Sequence, residues 1–593
     1  MHRRQFLQVL GASLGLGGSV KPRRAAALQI SLAMASPGSS PKPPNVVLVV
    51  TDDQGYGDLG CHGNPILRTP NLDALYRQSV RLTDFHVGPT CAPTRASLMT
   101  GRYCNRTGVW HTIMGRSLLR RDEVTMADVF AAGGYRTGIF GKWHLGDNYP
   151  FRPQDRGFQE VLVHGGGGVG QTPDTWGNDY FDDTYLHNGT PEKHTGYCTD
   201  IWFDGAMRFI EANRDRPFFA YLATNAPHSP YNVSERYSSL YKDKDVPNAN
   251  FYGMVANIDE NMGRLLDKLK SLGLEENTIL IFMTDNGTAA GFQRGKGFNA
   301  AMRGTKGSEY DGGHRVPCFV RWPAGGFDGG RDVNRLTSHI DLLPTVIELC
   351  GLPAPPGVTF DGMSIRPLLR DDGQAWPDRV LVTDSQRIER PEKWRQSAVM
   401  TDRWRLVNGR ELYDIHADPG QKSDVGDKHA EVVQDLRRAY EKWWANVSRR
   451  FDEYCEIVIG SDRENPSTLT CHDWHEADPC PWNQTHILQG IEGNGFWAVE
   501  VERAGEYEVS LRRWPREVDQ PINAAIPGGR AIQATKARLV LGRIDLEEPV
   551  PESAREVVFR VRLRPGKMRL QTWLLDEGGA SRGSYYVCVR RMS

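Results

Sequence analysis

Four short polar sequences each follow an apolar run in this 593-residue chain, and each carries side chains able to do chemistry. Thr51-Asp52-Asp53 follows Val46 to Val50, and Thr284-Asp285-Asn286-Gly287 follows Ile279 to Met283. Gly141-Lys142-Trp143-His144 follows Thr137 to Phe140, and Asn225-Ala226-Pro227-His228 follows Phe218 to Ala223. Asp52, Asp53, Asp285 and the amide oxygen of Asn286 are hard oxygen donors, a set suited to Ca²⁺ or Mg²⁺ rather than zinc. Taken singly, such acidic pairs also serve as helix caps or turn residues. Their recurrence after two buried runs is what points to a metal. Lys142, His144 and His228 add positive charge and groups that exchange protons.

The elements that must position these groups are legible in the same runs. Asn45-Val46-Val47-Leu48-Val49-Val50 is continuously apolar and β-branched after its first residue, the pattern of a strand buried on both faces of a parallel sheet. Leu72, Leu75, Tyr76 and Val80 recur at helical spacing, as do Val255, Ile258, Met262, Leu265 and Leu269. Strands alternating with helices predict an α/β fold with a mostly parallel sheet. In such sheets ligands bind beyond the carboxyl ends of the strands, where all four polar sequences fall.

Composition removes other classes. Lys plus Arg number 72 and Asp plus Glu 73, a net charge of -1, so bulk charge does not recruit nucleic acid. No apolar stretch approaches the length of a membrane span. Ten cysteines are too few for a disulfide scaffold in a chain this long.

The sequence Cys91-Ala92-Pro93-Thr94-Arg95-Ala96-Ser97-Leu98-Met99-Thr100-Gly101-Arg102 resembles the sulfatase signature. Asp52-Asp53, Gly141-Lys142-Trp143-His144, Pro227-His228, Asp285-Asn286 and Arg303-Gly304-Thr305-Lys306 recur in that family's order. The resemblance covers roughly residues 45–430 and implies an alkaline-phosphatase-like fold with a small C-terminal subdomain. It implies that Cys91 is oxidised by a formylglycine-generating or anaerobic sulfatase-maturating enzyme to formylglycine (3-oxoalanine), whose hydrate is the nucleophile. One divalent cation, usually Ca²⁺ with Mg²⁺ as the alternative, would be held by Asp52, Asp53, Asp285, Asn286 and the group at Cys91. Arg95 would hold the hydrate, and Lys142 and Lys306 would neutralise sulfate oxygens. His144 resembles the base that expels sulfate from the hydrate; His228, with Lys306, resembles the donor to the leaving alcohol. The substrate implied is a sulfate monoester, either an aryl sulfate or a sulfated glycan. A phosphodiesterase or phosphonate hydrolase on the same scaffold is a second reading. A glycan-binding protein in which Cys91 stays a thiol is a third.

Flanking regions carry different signals. Arg3-Arg4-Gln5-Phe6-Leu7 and the apolar run after it read as a twin-arginine export signal over residues 1–35, cleaved after Ala25-Ala26-Ala27 or Ala33-Met34-Ala35. Its loss removes Arg3, Arg4, Lys21, Arg23 and Arg24, so an anionic substrate needs a local positive pocket. The catalytic core is expected over 36–345, the sulfatase C-terminal subdomain over 346–455, and a connector over 456–484. Within that connector Cys471 and Cys480 either pair or remain two thiols. From residue 485 apolar residues alternate with polar ones, as at Tyr507, Val509 and Leu511, which predicts an accessory β-sandwich over 485–593. That tail carries none of the sulfatase motifs, so no catalytic residue is expected in it, and a chain ending near Pro466 is expected to act on small substrates. Trp497, Trp514 and Trp573 are its candidate stacking surface, with Trp497 on an alternating core face. His164-Gly165-Gly166-Gly167-Gly168-Val169-Gly170 lacks a phosphate-loop ending and is read as a flexible substrate-side loop.

Overall fold

The computed structural model describes residues 42–371, 373 and 375–592; the expected export signal lies outside them. Four strands form the middle of a ten-stranded sheet: β1 (Asn45–Thr51), β2 (Arg136–Gly141), β3 (Phe218–Ala223) and β4 (Thr278–Thr284). Their spatial order is β4-β1-β3-β2, all parallel, and residues 160–163 continue the parallel run beyond β2. Antiparallel strands close both flanks, at 318–321 and 184–193. The mostly parallel α/β sheet read from the sequence is therefore present.

Each central strand is buried on both faces because it separates two cores. Val46, Leu48 and Val50 pack with α1 (Cys91–Thr100) and with residues 126–130 and 342–346. Val47 and Val49 face the other way, against α2 (Cys198–Ala212), α3 (Ala249–Ser271) and the helix at Pro70–Arg77. The unbroken apolar run of β1 follows from this double cover.

A four-stranded antiparallel sheet over 381–414 packs with the helix at Ala430–Val447. The C-terminal region is two mainly antiparallel sheets that share one core, including Trp474, Trp497, Val509, Leu539 and Phe559. The expected connector is not one. Ile457–Ile459 pairs with Phe496–Val501 in one sheet, and Ser467–Thr470 pairs with Tyr586–Arg591 in the other. Ser-Thr-Leu-Thr hides its strand because only Leu469 is a large apolar residue. Leu118 and Phe151 of the catalytic region belong to the same core, so the sandwich is joined to the active-site side of the molecule. Cys471 and Cys480 are free thiols donating to the carbonyls of Pro481 and Cys471. Trp497 and Trp514 are fully buried, and Trp573 lies beneath the Arg538 guanidinium, so these three do not form an open stacking face.

Candidate active site

Strand register brings the four polar sequences to one edge. Thr51 is level with Thr284, Val50 with Ala223, and Ala223 with Gly141. Asp52-Asp53, Asp285-Asn286 and Lys142 therefore leave the sheet side by side. Asp53 and His144 both adopt left-handed backbone, at φ 65° and 61°. Such conformations are uncommon outside glycine and cluster at functional sites.

Asp52, Asp53 and Asp285 each offer a carboxylate oxygen within 4.8 Å of the others. Asp52 Oδ1 and Asn286 Oδ1 are buried with no hydrogen-bond partner among the described residues. Leaving such atoms unsatisfied is costly, and a hard divalent cation would satisfy both. The residues present thus fit Ca²⁺ or Mg²⁺.

Three cationic side chains balance the three carboxylates. Arg95 donates to Asp285 Oδ2 through Nε at 3.1 Å and Nη2 at 2.8 Å, and through Nη1 to the Lys142 carbonyl at 3.1 Å. Lys142 Nζ lies 2.5 Å from Asp52 Oδ2, and Lys306 Nζ lies 2.5 Å from Asp53 Oδ1. Burial and the Asp52 charge push Asp285 up to about 6. At Asp53 burial acts the same way, but the Lys306 ammonium beside it holds that carboxyl well below its usual range. A divalent ion added to this neutral set makes it net positive, supplying locally the attraction for anions that the whole chain lacks.

Cys91 is the first residue of α1 and only 3% exposed. Arg95 lies one turn on, and therefore on the same helix face. Gly101, at φ 66°, ends the helix in the left-handed conformation that glycine permits. Cys91 opens onto a cavity of about 390 Å³ whose wall also includes Asp53, His144, His228 and Lys306.

The two histidines are held in defined tautomers. His144 Nε2 donates to the Thr112 carbonyl at 2.8 Å, leaving a buried Nδ1 without a partner among the described residues. His228 Nδ1 donates to the Ser229 carbonyl at 2.6 Å, and Nε2 faces Asp53 Oδ2 at 3.8 Å. Burial and the Lys142 charge hold His144 well below its ordinary pKa; burial depresses His228 to about 3. Both rings are neutral in this arrangement and present a basic nitrogen.

The glycine-rich sequence is packed rather than loose. A Cβ on Gly167 would lie 2.2 Å from His144 Cε1, and one on Gly168 would lie 3.1 Å from His228 Cε1. The side-chain-free backbone is what lets one loop abut both rings. The loop is held from the tail: Gln484 Nε2 donates to the Gln171 and Asp174 carbonyls, and Thr172 Oγ1 donates to the Pro481 carbonyl. The His472 ring lies 6.2 Å from that of His144, and Trp482 lines the cavity. These residues fall within the expected connector 456–484, so that segment helps to build the pocket. His111, Gln171, Tyr231, Arg387 and Trp482 were not legible as site residues, since each is a single side chain in a segment without a motif.

A second cluster, His86, Asp311 and His314, also brings its ligand atoms within 4.8 Å of one another. There a guanidinium already occupies the position a cation would take. Arg405 pairs with Asp84 at 2.7 Å and Asp311 at 3.2 Å, and lies 3.2 Å from His86 Nε2. The Nδ1 atoms of His86 and His314 sit 2.9 Å apart, a hydrogen-bond spacing. The cluster ties the core to the four-stranded sheet, and His314 does not line the cavity at Cys91.

Comparison with known proteins agrees with the motif order. The family model for Sulfatase matches residues 44–352, more than half of the chain. The chain belongs to the sulfatase family. A second model, N-sulphoglucosamine sulphohydrolase, C-terminal, matches residues 305–445. Human arylsulfatase A is 35% identical over 374 residues, covering 58% of this chain and 71% of that protein. Bovine arylsulfatase A is 31% identical over 466 residues, covering 69% and 89%. Among solved structures, Ps i-CgsB in complex with k-i-k-neocarrahexaose superposes with a TM-score of 0.63 at 29% identity, covering 70% of this chain and 95% of that one. The protein is accordingly a sulfatase-type hydrolase of sulfate esters with an alkaline-phosphatase-like core. Neither family match reaches the sandwich that supplies Trp482.

Proposed function

We propose that this sulfatase hydrolyses sulfate monoesters of carbohydrates, using a formylglycine hydrate derived from Cys91 and one divalent cation. The observation that carries the reading is the placement of Cys91 in one cavity with Asp53, Lys306, His144 and His228, beside carboxylates with unsatisfied oxygens. Asp52, Asp53, Asp285 and Asn286 would hold the cation, a hard-oxygen set that suits Ca²⁺ or Mg²⁺, with Ca²⁺ the ion the family resemblance implies. When bound, the cation supplies Lewis-acid polarisation of the sulfate and lowers the pKa of an adjacent hydroxyl.

The chain's own residues divide the remaining work. Arg95 orients the group at position 91 from the same helix face. Lys142 and Lys306 face the charge that accumulates on the sulfate oxygens, inside a pocket where such charge is poorly screened. His144 Nδ1, with its other nitrogen fixed as donor, accepts a proton from the hydroxyl at position 91. His228 is neutral in the free enzyme. An anionic ester beside Nε2 raises the ring's affinity for a proton, which it takes up from solvent as the substrate binds and then passes to the departing alcohol while Lys306 remains charged.

Support for a carbohydrate substrate comes from Ps i-CgsB, whose structure was solved with an oligosaccharide. A maturing enzyme must reach Cys91 before folding seals it. The N-terminal sequence suits an exported protein, and no helix among the described residues is long and apolar enough to cross a membrane. Mass spectrometry of the Cys91 peptide tests the nucleophile, with replacement of the thiol by an aldehyde expected. An aryl sulfate turned over faster than an aryl phosphate diester is the second expected result. An unmodified thiol in fully active enzyme would refute the mechanism.

A further inference from the structure

The side chains around the sulfate end of the cavity are accounted for by charge balance. Two others on its wall are not. Arg387 is exposed, and its guanidinium makes no hydrogen bond or ion pair with a described residue. It follows the strand Leu381–Asp384, and the residue after that strand, Ser385, hydrogen-bonds through Oγ to Thr90 Oγ1 at 2.8 Å. Thr90 immediately precedes Cys91, so this tie holds the Arg387 segment against the start of the nucleophile helix.

Trp482 is half-buried, and its indole nitrogen makes no hydrogen bond to a described residue. Its backbone is fixed: Thr172 N donates to the Trp482 carbonyl at 3.0 Å, and Gln484 N donates to the Gly170 carbonyl at 3.1 Å. One side of the ring is set by His486, packed perpendicular to it with centroids 5.3 Å apart. A fixed aromatic ring on the wall of a polar cavity suits the apolar face of a pyranose, and it costs little conformational entropy to hold in place.

The unpaired guanidinium sets a further condition. Sulfate charge is already met by Lys142, Lys306 and the candidate cation site. A neutral leaving group would give Arg387 nothing to bind. Guanidinium pairs best with a carboxylate or sulfate that accepts two parallel hydrogen bonds.

We propose that Trp482 and Arg387 form the leaving-group subsite, selecting a sulfated sugar that carries a second oxyanion, either sulfate or carboxylate, which the enzyme retains while hydrolysing the first. The proposal rests on the sulfatase reading and extends it to the part of the substrate that leaves. Trp482 stacks on the sugar ring and Arg387 takes the second oxyanion. Because Trp482 belongs to the sandwich, the added region contributes directly to specificity.

The test compares a panel of monosulfated pyranosides with panels of disulfated pyranosides and sulfated uronosides, every ring position represented. The wild-type enzyme should favour substrates with a second oxyanion by about 10- to 100-fold in kcat/KM, the usual worth of a charge-assisted pair. Arg387→Ala should collapse that ratio toward one through KM. Arg387→Glu should invert it, and Arg387→Lys should restore part of it. Trp482→Ala should raise KM for all the sugars. Calorimetry on Cys91→Ala protein, with and without the additional Arg387→Glu change, reads the same selectivity as binding and needs no turnover; a weaker affinity for the doubly charged sugar in the double variant is expected. An unchanged ratio in R387E, or equal affinity of both Cys91→Ala proteins, overturns the subsite. Formylglycine-bearing wild type that cleaves no sulfate ester overturns the sulfatase reading instead, while the calorimetric comparison still decides the subsite.

Discussion

A methyl group added to Gly167 would sit 2.2 Å from Cε1 and 2.3 Å from Nε2 of His144. The ring and the loop cannot both keep their places around a side chain there. Gly167→Ala should therefore lower kcat on an aryl sulfate by about 100-fold, the usual penalty for moving a catalytic group by roughly 1 Å. Melting temperature is read alongside, because Val169 of the same loop belongs to one of the two main cores and a loss of stability must be separated from a loss of rate. Steady-state rates with a parallel thermal melt check this; wild-type kcat in the variant would mean His144 is not the base.

Cys91→Ala should reduce turnover by at least about 10⁴-fold, as loss of a nucleophile does elsewhere. Chelation should do the same to the wild type, with Ca²⁺ or Mg²⁺ restoring only the latter. Activity that survives exhaustive chelation, with metal content confirmed by elemental analysis, would dispose of the cation.

Lys142 and Asp52 are both fully buried and pair at 2.5 Å. Removing one partner strands the other charge. Lys142→Met should cost about 3–5 kcal/mol in the metal-free protein. Asp52→Asn in the same chain should recover part of that loss. Urea denaturation of the single and double variants measures both, and additive effects would show that the pair is not coupled.

Asp58 gives a pH dependence with a defined sign. Burial pushes its carboxyl up to about 7, against the opposing pull of the Thr288 hydroxyl and of Gly55 N, which donates to Oδ2. An acid whose pKa is raised on folding stays protonated in the native state while the unfolded chain ionises. Its favourable contribution is therefore complete below about pH 4 and declines as pH rises to about 7, by about 1.4 kcal/mol per unit. Asp58→Asn keeps an oxygen for the Gly55 amide and removes the titration. Its stability should fall less between pH 5 and pH 7 than that of the wild type; parallel slopes in thermal melts would show that Asp58 ionises normally.

A chain ending at Pro466 loses Trp482, the Gln484 contacts to the glycine-rich loop, and the core that covers Leu118 and Phe151. It should be poorly soluble, and any folded fraction should lose about 100-fold in rate on an aryl sulfate. A soluble truncation with undiminished rate would show that the sandwich wall is dispensable.

The parts of this molecule that could be read from sequence are those in which one local rule decides. β1, β3 and β4 announce themselves because double burial makes their middles continuously apolar, and the strand ends mark the site because parallel strands place ligands there. The Cys91 helix is legible as a contiguous motif. Trp482 and Arg387 are not, because only tertiary packing carries them to the cavity, from segments that look like ordinary connectors. The glycine run misled for a related reason. Absence of side chains reads as freedom in a sequence, whereas at Gly167 and Gly168 it reflects two imidazole rings already filling the space. Ser467–Thr470 was missed because three of its four residues are polar, although the partner strand Tyr586–Arg591 fixes it as part of a sheet.

Tyr586 donates its hydroxyl hydrogen to the carbonyl of Thr172, closing a loop of 414 residues. Seen in time rather than space, that bond dates the pocket. At ribosomal rates of about 5–20 residues per second, synthesis of the intervening chain takes on the order of tens of seconds, and the sandwich cannot close until its final strand has emerged. The helix that bears Cys91 is thus made well before the strand that ties down the wall beside it. Birth order along the polypeptide therefore separates the segment that carries Cys91 from the strand that anchors the wall near it.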